Sequence, residues 1–380
     1  MELKTFSVAE LRARPGRKWH HYGEDVLPAW IAEMDFPIAE PIQRALEHIV
    51  EEASYGYEGG TLYPALAEAF SARMRERFGW EVGTEYVVPV ADLVQALFAC
   101  VCAFTQPGDG VVLQMPIYPP FQAAVRDTRR RIVEDPLVDD GSRYVMDTAR
   151  ELPQAPLLLL CNPHNPTGRA FERRELEAIA ATVVERDMIV ITDEIHADMT
   201  YAGTTHIPFA SLGPDVAART VTITSATKAF NIPGLRCGLM HFGSAALRQR
   251  FRAAMPDRML GIVNQFGLKA TIVAWQECGA WLDCVMDLLE ANRARLTQFL
   301  RAELPRVGYY QPEATYLAWL DCRALNLPME PQRFFLERAR VAMNDGADFG
   351  GAGHVRLNFA TSPALLDEIL GRLRDSLRAG

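Results

Sequence analysis

Apolar runs that lack polar alternation recur along the first two thirds of the chain and alternate with segments of helical length. The runs cover residues 110–115, 157–161, 188–192 and 220–224, and helical patterns lie between them, for example at 92–105 and 173–186. Strands that are covered on both faces have this continuous apolar character. The pattern therefore predicts an α/β domain with a mostly parallel central sheet.

The pattern changes after about residue 270. A long amphipathic helix is predicted at 280–304, then a strand near 314–320, a helix at 331–340, a strand at 354–359 and a helix at 365–377. This order indicates a smaller C-terminal α+β domain. The first forty residues carry Pro15, Gly16, Gly23 and Pro28, which favour an arm or loop outside the sheet. We expect an N-terminal arm at 1–40 that contributes to the small domain and the active site, a large domain at 41–270 and a small domain at 271–380.

Composition and charge exclude several classes of protein. The chain is 49% hydrophobic and carries 39 basic and 48 acidic residues, a formal net charge of −9. Without a basic run it is a poor candidate for binding nucleic acid or an anionic membrane. No apolar leader opens the sequence, and Pro89, Asp92 and Gln95 interrupt the apolar stretch 87–104, so we expect neither a secretory signal nor a membrane span. The seven cysteines form no CxxC pair, which favours reduced thiols in the cytoplasm, and we predict no metal site.

Polar groups follow four of the predicted strands. In chain order they are Tyr118, then Asn165, then Asp193 and His196, and finally Ser225, Thr227 and Lys228. The carboxyl ends of parallel strands meet at one edge of a sheet, and ligands bind there. An aromatic ring, an amide, an acid and an amine flanked by hydroxyls are therefore expected to converge.

This set of groups suits pyridoxal phosphate. The cofactor needs a lysine amine for a Schiff base, an acid beside its ring nitrogen, a donor to its phenolate oxygen and a flat ring to stack on. Of the four lysines, Lys4, Lys18, Lys228 and Lys269, Lys228 alone follows a buried strand in a Ser/Thr-rich turn. We therefore predict Lys228 as the catalytic lysine and Asp193 as the partner of the ring nitrogen.

Each of the other groups also has a structural interpretation. Asp193 is equally suited to cap a helix, Asn165 to form a turn before Pro166, and Tyr118 to fill the core. Their joint placement after successive strands favours the cofactor site over these separate roles.

The cofactor phosphate needs hydroxyls, backbone N–H groups at a helix start and preferably an arginine. Ser225 and Thr227 supply the hydroxyls. We interpret the Asp92 side chain as the N-cap of the helix 92–105, which leaves the N–H groups of Leu93 and Val94 free to face a phosphate. Arg236 is either a surface salt-bridge partner or a bidentate phosphate clamp.

Arg356 interrupts an otherwise apolar strand, His354-Val355-Arg356-Leu357-Asn358-Phe359. A guanidinium in such a strand is costly to bury without an anion. The anion is either a structural carboxylate or the α-carboxylate of an amino-acid substrate, and we favour the substrate.

The motifs together resemble those of one enzyme family. They are KWHHY from residue 18, WIAEMDF from 30, YGY from 55, NPHNPTG from 162, DEIH from 193, KAFNIPGL from 228, EATYLAW from 313 and RLN from 356. Over nearly its whole length the chain is similar to fold-type I, pyridoxal-phosphate-dependent enzymes of the aminotransferase class I/II superfamily. Within that superfamily it resembles the MalY/PatB group of cystathionine β-lyases, also called cysteine-S-conjugate β-lyases.

The resemblance implies a role for each candidate residue. Lys228 would hold the cofactor and Asp193 its ring nitrogen, Asn165 with His196 would face the phenolate oxygen, and Tyr118 would stack on the ring. Ser225, Thr227 and the turn Asp92-Leu93-Val94 would hold the phosphate, with Arg236 nearby. Tyr22, Trp30 and Ala32 would border an amino-acid substrate, and Arg356 would bind its carboxylate. The resemblance also implies a homodimer with shared active sites, in which Tyr57 would reach the partner's phosphate.

Two positions depart from the pattern of the lyase group. Arg236 occupies the position where aminotransferases of the superfamily carry their phosphate arginine and where some lyases of this group do not. Lyases of this group usually carry a Gly-rich phosphate turn where this chain has Val90-Ala91-Asp92-Leu93. The Asp92 carboxylate is therefore expected to point away from the phosphate.

The activity that the resemblance implies is β-elimination from cystathionine or another L-cysteine S-conjugate, giving a thiol, pyruvate and ammonia. Two alternatives stay open. The same residues would serve an aminotransferase acting on an amino acid and a keto acid, because Lys228 could instead return the proton to the cofactor carbon. MalY-type proteins can also act as partners of transcription regulators, so a regulatory binding role is the second alternative.

Overall fold

The computed structural model describes residues 3–378. Its α-helices are α1 Val8–Ala13, α2 Arg17–His20, α3 Glu40–Glu51, α4 Leu62–Phe78, α5 Leu93–Phe104, α6 Pro119–Arg126, α7 Arg173–Glu185, α8 Pro214–Ala217, α9 Ala245–Ala254, α10 Gln265–Glu277, α11 Gly279–Glu303, α12 Pro331–Phe334 and α13 Pro363–Arg378. Its strands are β1 Leu27–Pro28, β2 Val87–Val90, β3 Gly110–Leu113, β4 Arg131–Glu134, β5 Val138–Asp139, β6 Tyr144–Val145, β7 Leu157–Cys161, β8 Ile189–Asp193, β9 Thr220–Thr224, β10 Gly238–Phe242, β11 Gly308–Tyr309, β12 Leu317–Asp321, β13 Val341–Ala342, β14 Asn344–Asp345 and β15 His354–Asn358. Within these residues no helix has both the length and the apolar character that crossing a membrane requires.

A seven-stranded sheet forms the centre of the molecule, in the order β2-β10-β9-β8-β7-β3-β4. β10 runs antiparallel to both of its neighbours, and the other pairs are parallel. Successive residues of β7 enter two different cores, since Leu157 and Leu159 pack on the face that α5 covers and Leu158 packs with α7 on the other. This two-sided burial explains the absence of polar alternation. The predicted α/β class with a mostly parallel sheet is confirmed.

A second sheet lies in the C-terminal part, in the order β11-β12-β15-β14, and its pairs are antiparallel. β12 begins at Leu317, later than predicted, because Thr315 adopts a positive φ of 71° that a strand does not accommodate. The predicted helix at 331–340 is α-helical only to Phe334 and continues as a wider π-turn over Phe335–Ala339. The division of the chain at residues 40 and 270 stays a prediction.

The N-terminal segment is more ordered than the sequence suggested. It contains α1, α2 and β1, and β1 pairs in parallel with β13 rather than with the central sheet. Ser7 and Glu10 form a capping box at the start of α1, a Ser-x-x-Glu signal that the Pro and Gly content of the segment obscured. The expected position of the segment outside the large sheet is confirmed.

Candidate active site

A cavity of about 480 Å³ opens at the carboxyl edge of the large sheet. It is lined by all of the predicted site residues except Tyr22 and Tyr57, namely Trp30, Ala32, Asp92, Leu93, Val94, Tyr118, Asn165, Asp193, His196, Ser225, Thr227, Lys228, Arg236 and Arg356. The parallel strands β3, β7, β8 and β9 each deliver to this edge the side chains that follow them. The structure thus brings these residues together, and their individual roles stay predictions.

Lys228 follows β9 and is half-buried in the cavity wall. Its Nζ donates a hydrogen bond of 2.8 Å to the Ala32 carbonyl oxygen. Burial, and after it the charge of Arg356, lowers the pKa of the Lys228 amine to about 8. Near neutral pH, Lys228 is therefore closer to the neutral form that a nucleophile or proton acceptor needs.

Asp193 is the last residue of β8, and its Oδ1 accepts a hydrogen bond of 3.0 Å from the Ile195 N–H. Burial, and to a smaller extent the charge of Glu194, raises the pKa of the Asp193 carboxyl to about 7. The Ile195 N–H and Lys228 oppose this rise. A protonated ring nitrogen beside Asp193 would favour the charged carboxylate.

His196 is buried, and burial lowers the pKa of its ring to about 3. The ring is therefore neutral at physiological pH. Its Nδ1 has no hydrogen-bond partner among the described residues. A buried imidazole nitrogen without a partner is costly unless a ligand atom satisfies it.

Arg356 is 4% exposed and is held by neutral groups. Its Nη1 donates to Asn165 Oδ1 at 2.8 Å, and its Nη2 donates to Asn344 Oδ1 at 2.7 Å and to the Trp30 carbonyl oxygen at 3.3 Å. No carboxylate of residues 3–378 pairs with it, and its Nε has no partner among them. Burial lowers the pKa of the guanidinium to about 10. The structural carboxylate that the sequence left open is absent from the described residues, so this cation can receive an anion from the cavity.

The predicted phosphate end of the cavity differs from expectation in one respect. Asp92 caps α5 as predicted, but its Oδ1 accepts hydrogen bonds from Val94 N at 2.7 Å and Gln95 N at 3.3 Å. The Val94 N–H is therefore not free to face a phosphate, and that part of the prediction was wrong. An N-cap side chain bonds the N–H of the second or third helical residue, and Val94 is the second.

The other oxygen of Asp92 lies 3.1 Å from Arg236 Nη1. Arg236 is thus a salt-bridge partner in this structure while it also lines the cavity. Across from it, Ser225 Oγ donates to the Cys237 carbonyl oxygen at 2.6 Å and lies 2.9 Å from Thr227 Oγ1. Two hydroxyls and one guanidinium therefore line the same cavity as the start of α5.

The donor set fits pyridoxal phosphate. It offers a primary amine of lowered pKa, a carboxylate that lacks a cation in contact, an imidazole nitrogen without a partner, and the half-buried ring of Tyr118. Burial raises the pKa of the Tyr118 phenol, so the ring is neutral. These are the functional groups that the aldehyde, ring nitrogen, phenolate oxygen and ring face of the cofactor require.

The sequence model of the family named Aminotransferase class I and II matches residues 33–373. The match includes the residues after each of the four strands and Arg356. The chain belongs to this family.

Three members or relatives show how far the similarity extends. Cystathionine beta-lyase PatB of Bacillus subtilis (strain 168) is 36% identical over 373 residues, which cover 95% of this chain and 96% of PatB. The crystal structure of OvoB has a TM-score of 0.93 at 36% identity and covers 100% of this chain and 99% of its own. The crystal structure of cystalysin from Treponema denticola, which contains a pyridoxal 5'-phosphate cofactor, has a TM-score of 0.92 at 29% identity, with coverages of 100% and 99%. The fold is therefore the pyridoxal-phosphate-dependent transferase fold, as predicted.

Two of the predicted site residues, Tyr22 and Tyr57, do not line the cavity. Tyr22 is half-buried and packs edge-on against Trp30, with ring centroids 5.7 Å apart, so it contacts a residue that lines the cavity. Tyr57 is 94% exposed. The role of Tyr22 beside the substrate and the role of Tyr57 at the partner's phosphate both stay predictions.

Three polar residues of the cavity lining were not predicted from the sequence. Arg17 and Asp348 are charged, and Asn344 binds the charged Arg356. Asn344 was missed because its contact with Arg356 is a pairing between strands. Arg17 precedes the recognised KWHHY motif by one position, so closer attention to that motif could have found it. No pattern in the sequence singled out Asp348.

Proposed function

We propose that the protein is a pyridoxal-phosphate-dependent carbon–sulfur β-lyase that cleaves cystathionine or another L-cysteine S-conjugate. The observation that carries the proposal is the 36% identity to cystathionine beta-lyase PatB over nearly all of both chains. The donor set of the cavity supports it. In net terms the S-conjugate and one water give a thiol, pyruvate and ammonia, and the bond that breaks joins sulfur to the β-carbon.

The cofactor is pyridoxal 5'-phosphate. When bound, it supplies an aldehyde that condenses with primary amines and a ring that accepts negative charge from the substrate α-carbon. We assign Lys228 Nζ to the aldehyde, Asp193 to the ring nitrogen, and Asn165 with His196 to the phenolate oxygen. Tyr118 would cover the ring face, and Ser225, Thr227, the Leu93 N–H and Arg236 would hold the phosphate.

Arg356 binds the α-carboxylate of the substrate. Its partners Asn165, Asn344 and the Trp30 carbonyl are neutral, so its charge is available to an incoming anion. Burial is the main cause of the lowered pKa of Lys228, and the charge of Arg356 is the second. Binding of the substrate carboxylate offsets the second cause and therefore raises the pKa of Lys228.

Lys228 Nζ removes the proton from the α-carbon once the substrate amine has replaced it. The Ala32 carbonyl oxygen, 2.8 Å from Nζ, holds the amine on the side of the cavity that Trp30 and Ala32 border. The electron pair of the broken C–H bond then becomes available to form the Cα–Cβ double bond, and sulfur leaves with the electrons of the C–S bond. With the cofactor bound, Asp193 would be charged beside the ring nitrogen and would stabilise positive charge there.

We also propose that the protein acts as a homodimer whose two active sites lie at the subunit interface. Support comes from exposed apolar side chains on two segments that contact each other. Tyr57 is 94% and Tyr55 63% exposed on one, and Ile262 is 68% and Met259 64% exposed on the other. The Tyr55 ring stacks on Phe266 with ring centroids 6.4 Å apart. Contiguous exposed apolar surface is typical of interaction sites. Analytical ultracentrifugation tests this, and a monomer at micromolar concentration would contradict it.

Two further assignments are proposals of the same kind. We divide the chain into an arm at 1–40, a large cofactor-binding domain at 41–270 and a small domain at 271–380. We place the protein in the cytoplasm, supported by the seven free cysteines, five of which are buried. Burial raises the pKa of Cys237 and Cys278 to about 11, which keeps these thiols protonated.

The decisive experiment mixes the cofactor-loaded protein with L-cystathionine and adds no keto acid. Pyruvate and free thiol released over many turnovers are expected. A reaction that stops after one equivalent per site and resumes on adding a keto acid would identify an aminotransferase instead. Lys228→Ala should abolish turnover while the oligomeric state is kept, and borohydride reduction followed by peptide mapping should modify Lys228 in the wild type.

A further inference from the structure

The charged side chains around the cavity divide into those that the proposed reaction uses and those that it does not. The charged lining residues are Arg17, Asp92, Asp193, Lys228, Arg236, Asp348 and Arg356. Asp193, Lys228 and Arg356 are assigned to the cofactor and the amino-acid end of the substrate. Asp92 and Arg236 pair with each other at 3.1 Å. Arg17 and Asp348 remain, one of each sign, and neither forms an ion pair with any residue in 3–378.

Arg17 is the first residue of α2 and is exposed at the cavity. Its guanidinium carbon lies 5.6 Å from the centroid of the Trp30 ring, a cation–π distance. The ring itself is fixed, because Trp30 Nε1 donates to the Lys18 carbonyl oxygen at 3.2 Å. The next residue, Lys18, is buried and bonded to Asp35 at 2.8 Å, which anchors α2. Arg17 is thus a cation on a fixed support with its hydrogen-bond donors unused by the described residues.

Asp348 lies in the 3₁₀ turn Gly346–Phe349, and its side chain is exposed. The backbone of the turn is held in place, since Gln122 Nε2 donates to the Asp348 carbonyl oxygen at 3.0 Å and Ile117 N donates to that of Phe349 at 2.9 Å. The neighbouring Phe349 is buried and packs 4.7 Å from the Arg356 guanidinium. The Asp348 carboxylate accepts no hydrogen bond from residues 3–378, although the turn that carries it is fixed beside the substrate-binding arginine.

We propose that Arg17 and Asp348 form a distal subsite that recognises the leaving half of the substrate, with Arg17 on a carboxylate and Asp348 on an ammonium group. The inference rests on the proposed lyase function and narrows it. The substrate class is then an L-cysteine S-conjugate whose thiol half is itself an amino acid. Conjugates whose thiol half is purely alkyl or aryl offer no charged group to Arg17 or to Asp348.

Four conjugates of one chain length test the subsite in the cofactor-loaded enzyme. L-cystathionine carries both distal charges, S-(3-carboxypropyl)-L-cysteine the carboxylate alone, S-(3-aminopropyl)-L-cysteine the ammonium alone, and S-propyl-L-cysteine neither. The measured quantity is kcat/KM for thiol release, expressed relative to S-propyl-L-cysteine. In the wild type the ratio should be about 10 for each conjugate that carries one distal charge and about 100 for L-cystathionine, which carries both, because each charge forms charge-assisted hydrogen bonds at a partly exposed site.

Two isosteric or near-isosteric variants separate the two charges. Arg17→Met should lower the ratio about tenfold for the two conjugates that carry the distal carboxylate. Asp348→Asn should lower the ratio about tenfold for the two conjugates that carry the distal ammonium group. Arg17→Lys should restore much of the loss. Arg14→Met is the matched control, because Arg14 stacks on Phe6 at 4.3 Å and does not line the cavity.

The outcomes are distinguishable. If all four conjugates release thiol at similar rates in the wild type, or if each variant lowers the four values equally, the distal subsite is overturned and the lyase function stands. If no conjugate releases thiol and pyruvate, the lyase function is overturned, and the subsite with it.

Discussion

Asn344 and Arg356 stand directly opposite each other on the antiparallel strands β14 and β15, and Asn344 Oδ1 accepts a hydrogen bond of 2.7 Å from Arg356 Nη2. A second amide, Asn165, accepts from Nη1 at 2.8 Å. Two neutral oxygens thus orient the guanidinium without neutralising it. A carboxylate at either position would orient the arginine equally well but would compete with the substrate carboxylate.

Asn344→Ala should weaken substrate binding through Arg356. Loss of one hydrogen bond to a charged group costs about 1.5 kcal/mol, so KM for an S-conjugate should rise about tenfold with a smaller change in kcat. Asn344→Asp should lower kcat/KM further than Asn344→Ala, because it supplies a fixed counterion. Steady-state kinetics measure both, with Gln298→Ala on the exposed surface of α11 as control. Equal KM values for wild type and Asn344→Ala would refute a positioning role.

The contrast between Arg356 and Asn344 shows what the sequence could predict. Arg356 was found because a charged residue interrupts an apolar strand, and this signal is local. Asn344 could not be found, since its role depends on the register of two strands that are separated by a turn. Lys228 and Asp193 were predicted because each directly follows or ends a buried strand, and parallel strands bring such positions to one edge.

The errors have equally local causes. The cap at Asp92 was predicted, but a capping side chain occupies the Val94 N–H that was expected to face the phosphate. The capping box at Ser7 was missed, although Ser7 and Glu10 have the Ser-x-x-Glu spacing that marks the start of a helix. The late start of β12 follows from the positive φ of Thr315, and a threonine carries no sequence signal for that conformation.

Asp92 places a negative charge at the predicted phosphate end of the cavity. Asp92→Asn keeps an N-cap acceptor for α5 and removes the charge and the ion pair with Arg236. Pyridoxal phosphate should then bind more tightly, by about three- to tenfold, because about 1 kcal/mol of repulsion is removed and Arg236 is released toward the phosphate. Equilibrium titration of the cofactor-free protein measures the change, and Arg236→Met should weaken binding. Weaker binding by Asp92→Asn would mean that Asp92 positions Arg236 as a clamp.

The ionisation of Asp193 should make the cofactor-free protein less stable as the pH rises. Burial raises the pKa of this carboxyl from 3.8 to about 7 in the folded state. The folded protein therefore holds a proton that the unfolded chain releases, and this contribution to the free energy of unfolding falls as the pH rises from about 4 to about 7. Asp193→Asn removes the effect, so its free energy of unfolding relative to wild type should increase by about 2 kcal/mol between pH 5 and pH 8.

Urea denaturation of the cofactor-free proteins at the two pH values measures this difference. Asp127→Asn, which neutralises an exposed carboxylate at the end of α6, is the matched control and should show a much smaller pH-dependent difference. A constant difference between Asp193→Asn and wild type across this pH range would show that Asp193 is already charged in the empty site. Saturation with cofactor should reverse the advantage of the variant, because the ring nitrogen then offers Asp193 a cationic partner.

Lys18 and Asp35 form a buried ion pair that fixes the segment Trp30–Ala32 in the cavity wall. Their side chains are 2% and 3% exposed and lie 2.8 Å apart. Lys18 Nζ also donates to the Glu33 carbonyl oxygen at 2.9 Å, and Asp35 Oδ1 accepts from Trp19 Nε1 at 2.8 Å. Each charge therefore depends on the other for compensation, and removing one leaves the other buried without a counterion.

Lys18→Met should lower the free energy of unfolding by about 3 kcal/mol, because it strands the Asp35 carboxylate in the interior. Adding Asp35→Asn in the same chain should recover more than half of that loss, since the amide still accepts from Trp19 and carries no charge. Denaturant unfolding of the two variants measures both numbers, with Lys4→Met at an exposed position as the control. If the double variant were no more stable than Lys18→Met, the loss would come from the missing lysine contacts with Glu33 rather than from the uncompensated charge. In that case the wall segment would be held by hydrogen bonding alone.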